Sequence, residues 1–184
     1  MTTDDTIAQW QADEQAARSR LKAGSGWARP DQVIGKSGMA LFEAMFAGEV
    51  PPPNMCETLD FMLVKVEPGH AIFQGRPLVR HYNPMGTVHG GWFATLLDSA
   101  VGCAVHTMMP AGKAYTTLEL KLNIVRALTD RVPLVRAEGR TIHVGGQTAT
   151  AEGRLIGPDG KLYAHATTTC LVFDFPPKTR SPSS

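Results

Sequence analysis

The sequence predicts an α+β domain in which a curved antiparallel sheet of about six strands wraps around one long central helix, with extra helices on the N-terminal side. Three observations carry this. Strand-like segments fall in the order two, then four, with one long helical segment between them. That helical segment, residues 92–106, is apolar nearly all round and must be enclosed on most sides. The chain of 184 residues, 43% apolar and 19% charged, suits one globular domain with a sizeable core.

Residues 4–22 read as a first helix. Ile7, Trp10, Ala17 and Leu21 share a face, and Glu14 can pair with Arg18 at i,i+4. This helix is expected on the outside of the domain or against a partner subunit. A second helix is expected over 37–46, with Ser37 as N-cap and Gly48 as terminator. Pro51-Pro52-Pro53 then forces an extended connector. We divide the chain into an N-terminal helical extension (1–50), a main domain (51–175) and a polar, disordered tail (176–184).

In the main domain, 58–67 and 70–76 read as a hairpin around Pro68-Gly69. The apolar helix follows and is broken at Pro110-Ala111-Gly112. Four strands close the chain: 114–127, with alternation through Leu118, Leu120, Leu122 and Ile124, then 132–144, 147–156 and 161–173. The last two flank Gly157-Pro158-Asp159-Gly160, a strong turn signal.

A net charge of +1 offers no broad basic field for nucleic acid or an anionic membrane. Residues 1–10 carry Asp4 and Asp5 and lack the basic and apolar regions of a signal peptide. The run 90–111 contains Asp98 and His106 and reads as a core helix, not a membrane span. Cys56, Cys103 and Cys170 show no C-x-x-C spacing, which argues against a disulfide framework or structural zinc and for buried thiols in a reducing cytoplasm.

The chemistry concentrates in one stretch. Asp98 is the only Asp, Glu, Lys or Arg between Arg80 and Lys113. Burying a lone carboxylate is costly, and with Thr95, Leu97 and Val101 around it desolvation should push its pKa upward. A plainer reading has it bonded to a neighbouring hydroxyl such as Ser99, or facing a solvent gap. Gly90 and Gly91 open the helix, whose first N–H groups lack intrahelical partners and carry the positive end of the macrodipole. Such a site can hold a developing oxyanion, or be simply a closely packed helix start. His89 can orient a carbonyl or cap the helix. Asn83 lies in a turn, where Asn is common for backbone reasons.

Spacing adds a constraint. Gly90 and Asp98 are about 12 Å apart along one helix at ~1.5 Å per residue. A base or nucleophile and an oxyanion donor must both lie roughly 3 Å from the same carbonyl. If both groups act together, they come from two copies of the chain in a symmetric dimer.

The stretch Asn83-Pro84-Met85-Gly86-Thr87-Val88-His89-Gly90-Gly91, followed after six residues by Asp98-Ser99, resembles the hotdog-fold acyl-CoA thioesterases of the PaaI type, related to phenylacetate-pathway and 4-hydroxybenzoyl-CoA thioesterases. The resemblance extends over about 39–173 and includes Tyr115 to Asn123, Gly153-Arg154-Leu155 and Ala164-His165-Ala166-Thr167. It implies a hotdog fold and hydrolysis of a thioester to a free acid and coenzyme A. It gives Asp98 the role of nucleophile or general base and the Gly90 backbone N–H that of polarising the carbonyl. His89 and Asn83 are implied to line the reacting centre, Thr117 to place a hydroxyl near the carboxylate (or Thr116, if the register differs by one), and Gly91 to lie beside the substrate.

For the coenzyme A moiety the candidates are Arg126, Arg140, Arg154 and the turn His143-Val144-Gly145-Gly146, against a reading as ordinary solvated charges. Trp92, Phe93, Leu96 and parts of the first strands are expected to line the acyl pocket. The resemblance implies a homodimer, often paired into a tetramer, with no metal and no cofactor, coenzyme A entering only as part of the substrate. Two other readings remain: a hotdog hydratase acting on enoyl thioesters, whose Pro-containing His motif is absent here, and a non-catalytic acyl-CoA binding protein.

Overall fold

The computed structural model describes residues 2–21 and 24–176. The elements run α1 (Thr3–Arg20), α2 (Pro30–Val33), α3 (Gly38–Phe46), α4 (Asn54–Thr58), β1 (Phe61–Glu67), β2 (His70–Gly75), a 3-10 turn (Val79–His81), α5 (Gly90–Thr107), β3 (Lys113–Ile124), β4 (Val135–Val144), β5 (Thr148–Ile156) and β6 (Leu162–Asp174). The six strands form one antiparallel sheet in the order β1-β2-β4-β5-β6-β3. The chain leaving α5 crosses to the far edge, so β3 pairs with β6 and not with β2. α5 touches every strand and lies along the inner face of the curved sheet.

The inner face is built by alternation. Phe73, Ala137, Ala151, Leu155, Ala166 and Cys170 point inward and are buried with Leu96, Leu97, Ala100, Val101 and Ala104 of α5. Small residues let the helix press close. A Cβ added at Gly139 would stand 2.2 Å from the Ala100 carbonyl oxygen and 2.7 Å from the Val101 nitrogen, so only glycine fits where α5 crosses β4.

The outer face carries α1. Thr2 caps this helix reciprocally with Asp5: the Asp5 N–H donates to Thr2 Oγ1 and the Thr2 N–H to Asp5 Oδ2. Trp10, Glu14 and Ala17 face the sheet and are buried. Gln74 and Arg136 are register partners on β2 and β4, pointing away from α5. Arg136 stacks over the Trp10 ring, donates to Gln74 and pairs with Asp13 at 2.7 Å. Glu14 accepts from Arg18, Arg76 and Gln74 at 2.8–2.9 Å. Burying these charges is tolerable because each is paired and hydrogen-bonded.

Several boundaries differ from expectation for physical reasons. The strand expected from residue 58 starts at Phe61, because residues after Pro53 form α4 and Asp60 adopts φ +54. The strand expected from 132 starts at Val135, since Pro133 cannot donate to the ladder. The strand expected to reach 127 ends at Ile124, where the Val125 and Arg126 N–H groups both turn to the Tyr163 carbonyl. α2 and α4 are too short to show a helical period. Lys22 and the expected tail over 177–184 lie outside the described residues.

Of two histidines packed near the two ends of α5, His81 is buried and His106 half-buried. His81 stacks on Trp92, with ring centroids 5.3 Å apart, and sits 3.3 Å from Asp60. His106 lies edge-on to Phe42 and Tyr115. Burial holds both below the ordinary histidine value, the Asp60 charge partly opposing it at His81.

Gly139→Ala should lower the unfolding free energy by on the order of 3 kcal/mol in chemical denaturation, because α5 must lift from the sheet. Gly146→Ala, with nothing within 4 Å of the added Cβ, serves as the control. For His81 and His106 the stability contribution is full above the ordinary value of 6.5, where both states are neutral. As pH falls from there through the lower folded-state values, the unfolded chain takes up protons that the folded chain resists. The denaturation midpoint should therefore drop on acidification below 6.5, and the drop should flatten in a His81→Leu, His106→Leu double variant.

Candidate active site

The turn before α5 is organised by Asn83. Its Oδ1 accepts from the Met85 N–H at 2.9 Å and the Thr87 N–H at 3.3 Å, and its Nδ2 donates to Thr87 Oγ1 at 3.1 Å. Gly86 completes the turn at φ +78. The Asn83 side chain is thus engaged within its own turn and positions it. Val88 is tied to Leu128 and His89 to His81, each by an N–H donating to a carbonyl. These bonds set the angle at which the chain enters the helix.

His89 is the N-cap of α5. Its Nδ1 accepts from the Gly91 N–H at 2.9 Å, which puts the proton of the neutral ring on Nε2, toward solvent. Gly91 is therefore occupied by the cap. The Gly90 N–H has no partner among the described residues and stands at the positive end of an 18-residue helix. A Cβ on Gly90 would stand 3.3 Å from Ile124 Cδ1, and Arg126 lies just beyond, exposed.

Asp98 sits two turns further on. It is half-buried in the single chain, not enclosed as its apolar neighbours suggested. Thr117 Oγ1 donates to Asp98 Oδ1 at 3.1 Å, and no other hydrogen bond or ion pair reaches this carboxylate among the described residues. Ser99 is not the partner: its hydroxyl donates to the Thr95 carbonyl, and that of Thr95 to the Gly91 carbonyl. The register of β3 turns Thr117 toward the helix and leaves Thr116 exposed on the other face. Tyr115, two residues earlier, packs its hydroxyl against Gly102. Gly91, Thr95, Asp98 and Ser99 form a stripe of α5 that the chain's own sheet leaves uncovered.

The other candidates are dispersed. Gly145 and Gly146 form the β4–β5 turn, closed by the Gly145 N–H donating to the Thr148 carbonyl. That turn lies toward the C-terminal end of α5, where Thr107 accepts from the Gly69 N–H and the Gly69 carbonyl accepts from the Thr141 N–H. Arg140 and Arg154 are exposed on the outer face, opposite Glu152 and Glu138 in the register, with the sheet between them and α5. Trp92, Phe93 and Leu96 are core residues: Trp92 Nε1 donates to the Leu59 carbonyl, and none of the three lines either of the two best-formed clefts among the described residues. A cleft of about 440 Å³ opens elsewhere, between the N-terminal helices and β1–β2, with Cys103 of α5 in its wall. The first strands line this cleft as expected of the acyl pocket, but its N-terminal wall and the His81–Trp92 stack under the helix start were not foreseen. Neither carries a local motif, because both arise from residues far apart in the chain.

Among the described residues no cluster of three or more His, Cys, Asp or Glu could hold a metal ion, and no helix is long and apolar enough to cross a membrane.

Comparison with known proteins bears on the family and the fold. A family model described as the Thioesterase superfamily matches residues 85–164, a segment holding His89, Gly90, Asp98 and Thr117. The chain is 33% and 34% identical to candidate esterases of Halobacterium salinarum and Pseudomonas aeruginosa, over 81 and 94 residues. These alignments take in 44% and 50% of this chain but only 53% and 63% of those relatives' lengths. A 1,4-dihydroxy-2-naphthoyl-CoA hydrolase of Listeria monocytogenes is 26% identical over 63% of this chain and 93% of its own. Among solved structures, a candidate thioesterase related to phenylacetic acid degradation from Ralstonia eutropha superposes with a TM-score of 0.65 at 30% identity, over 71% of this chain and 98% of that one. The helix wrapped by a six-stranded sheet is the hotdog fold, and with that relative matched over nearly its whole length, the chain belongs to the thioesterase superfamily.

Proposed function

We propose that the protein is an acyl-CoA thioesterase whose site is shared between two subunits, with residues 51–175 as the catalytic domain. The observation that carries this reading is the Asp98–Thr117 pair on the uncovered stripe of α5, about 12 Å from the unpartnered Gly90 N–H on the same helix. A second copy supplies what is missing. β3 is an edge strand of 12 residues that exposes Leu118 (59%) and Ile124 (46%), a surface that another β3 can cover. Antiparallel pairing of two α5 helices would set Asp98 of one subunit facing Gly90 of the partner subunit. It would also carry the Gly145-Gly146 turn toward the partner's Gly90, beside Arg126, as the coenzyme A contact. Pairing of two such dimers is carried over from the resemblance. Three free cysteines support a reducing, cytoplasmic setting.

The chemistry follows from the two half-sites. Thr117 occupies Oδ1 of Asp98 and fixes its plane, leaving Oδ2 for reaction. As general base, Oδ2 takes a proton from water while the water oxygen bonds to the thioester carbon. Negative charge moves to the carbonyl oxygen, held by the Gly90 N–H and the helix dipole. The C–S bond then breaks, coenzyme A leaves as thiolate and takes up a proton, and the acid is released. As nucleophile, Oδ2 bonds to the carbon itself, the C–S bond breaks and coenzyme A leaves as thiolate and takes up a proton; water then hydrolyses the mixed anhydride, releasing the acid and restoring the Asp98 carboxylate. Thiolate is a good leaving group, so the reaction calls for no metal Lewis acid and no cofactor. The same geometry disfavours a non-catalytic binder, which needs no poised carboxylate.

Asp98→Asn should lower kcat/KM for acyl-CoA hydrolysis by about 10²–10⁴-fold with an unchanged unfolding midpoint. Gly90→Pro is the sharper test. Position 90 is the first helical residue, where proline is tolerated, and His89 already has the extended φ −65, ψ 140 that precedes proline. The variant keeps the helix and removes only the proposed donor, so kcat should fall about 10²–10³-fold, with Gly90→Ala losing far less. Thiol release from an acyl-CoA panel, run beside hydration of crotonyl-CoA, separates hydrolase from hydratase and binder.

A further inference from the structure

The cleft between the N-terminal helices and the β1–β2 edge has no assigned role. Its interior is apolar: Phe42 and Met45 of α3, Cys56 of α4, Phe61 of β1, Phe73 of β2 and Cys103 of α5. Burial pushes the Cys56 and Cys103 thiols up to about 12, so both are neutral and put no charge inside. The outer rim is charged. Glu14 bridges Arg18 and Arg76 there, and Asp60 lies nearby. At about 440 Å³ the volume falls in the range of small-molecule pockets.

Two observations connect the cleft to the candidate site. Cys103 forms its inner wall and lies five residues beyond Asp98, about 7.5 Å along α5 and about 140° around it, so the cleft meets the helix on the flank of the site. After burial and the neighbouring Cys56, the Asp98 charge adds to the upward shift of the Cys103 thiol. An acetyl or propionyl group with its carbonyl at Asp98 ends short of that wall. Only a longer apolar group is long enough to span the distance. At the far end, the Glu14–Arg18–Arg76 bridges meet solvent, and an apolar chain reaching them gains nothing by going further.

We propose that this cleft receives the distal part of a large apolar acyl group, of medium-chain or bulky aryl type, and that α1, α3 and α4 make the chain selective for such thioesters over short ones. Apart from Cys103, every residue lining the cleft precedes residue 85, where the match to the superfamily begins. The selectivity is thus built by a segment outside that match. The proposal rests on the thioesterase reading above.

The test uses the full-length protein and compares kcat/KM for acetyl-CoA, octanoyl-CoA and dodecanoyl-CoA. Wild type should prefer octanoyl- to acetyl-CoA by at least about tenfold. Met45→Trp, which fills the cleft, should lower that ratio by about tenfold or more; Met45→Ala, which enlarges it, should raise the dodecanoyl-to-octanoyl ratio. Unfolding midpoints identify a variant that has failed to fold, and the opposite variant still decides the question. Hydrolysis with both ratios unmoved in both variants overturns the cleft assignment and leaves the thioesterase reading intact. Absence of hydrolysis of every thioester by wild type overturns the thioesterase reading and this proposal with it.

Discussion

The spacing along α5 constrains everything else. A helix rises by about 1.5 Å per residue and does not compress, so the amide at its start and the carboxylate at its middle stay about 12 Å apart. Nothing in the fold lets either end adapt. The helix is pressed onto the sheet where Gly139 meets the Ala100 carbonyl, its start is tied by His89 and Val88 to neighbouring carbonyls, and its far end is held by Thr107. On the proposed mechanism the single chain therefore holds two incomplete sites. Its uncovered helix stripe and the unpaired β3 edge lie on the side where a second copy would complete them.

The same rigidity explains the division of labour around the helix start. Three residues that a motif reading treats alike do different things. Asn83 shapes its turn, His89 caps the helix through Nδ1, and Gly90 alone keeps an N–H free. The cap takes the Gly91 amide, so among the described residues it leaves one unpartnered donor, the half-buried Gly90 amide, and not a diffuse positive end. On the outer face, α1 is fastened by ion pairs and hydrogen bonds around Arg136 and Glu14 more than by an apolar stripe. That fastening lets the N-terminal segment stand off the sheet edge far enough to leave a cleft instead of a solid core.

The architecture was legible because its strongest signals are periodic or compositional. An apolar helix with one charge, hairpin turns at Pro68-Gly69 and 157–160, and alternating strands all survive in the structure. Asp98 and its relation to Thr117 were legible from the motif, and the strand register chose Thr117 over Thr116. What was not legible depends on long-range packing. Trp92 looked like a pocket residue because it follows the glycines, yet the sheet edge and His81 bury it. Arg140 and Arg154 looked available for phosphate, but strand alternation puts them on the far side of the sheet from α5. The half-exposed state of Asp98 was hidden for a related reason: its neighbours in sequence are apolar, while its neighbours in space leave one side open.

Mixing two inactive variants tests the shared site most directly. Asp98→Asn and Gly90→Pro chains are combined, unfolded and refolded together, and assayed for thioester hydrolysis. If the site spans two subunits, each mixed dimer regains one intact pair, the carboxylate from one chain and the amide from the other. With random pairing, about a quarter of wild-type activity per chain should return. Activity no higher than that of the separate variants, in a mixture shown to contain mixed dimers, would contradict the account.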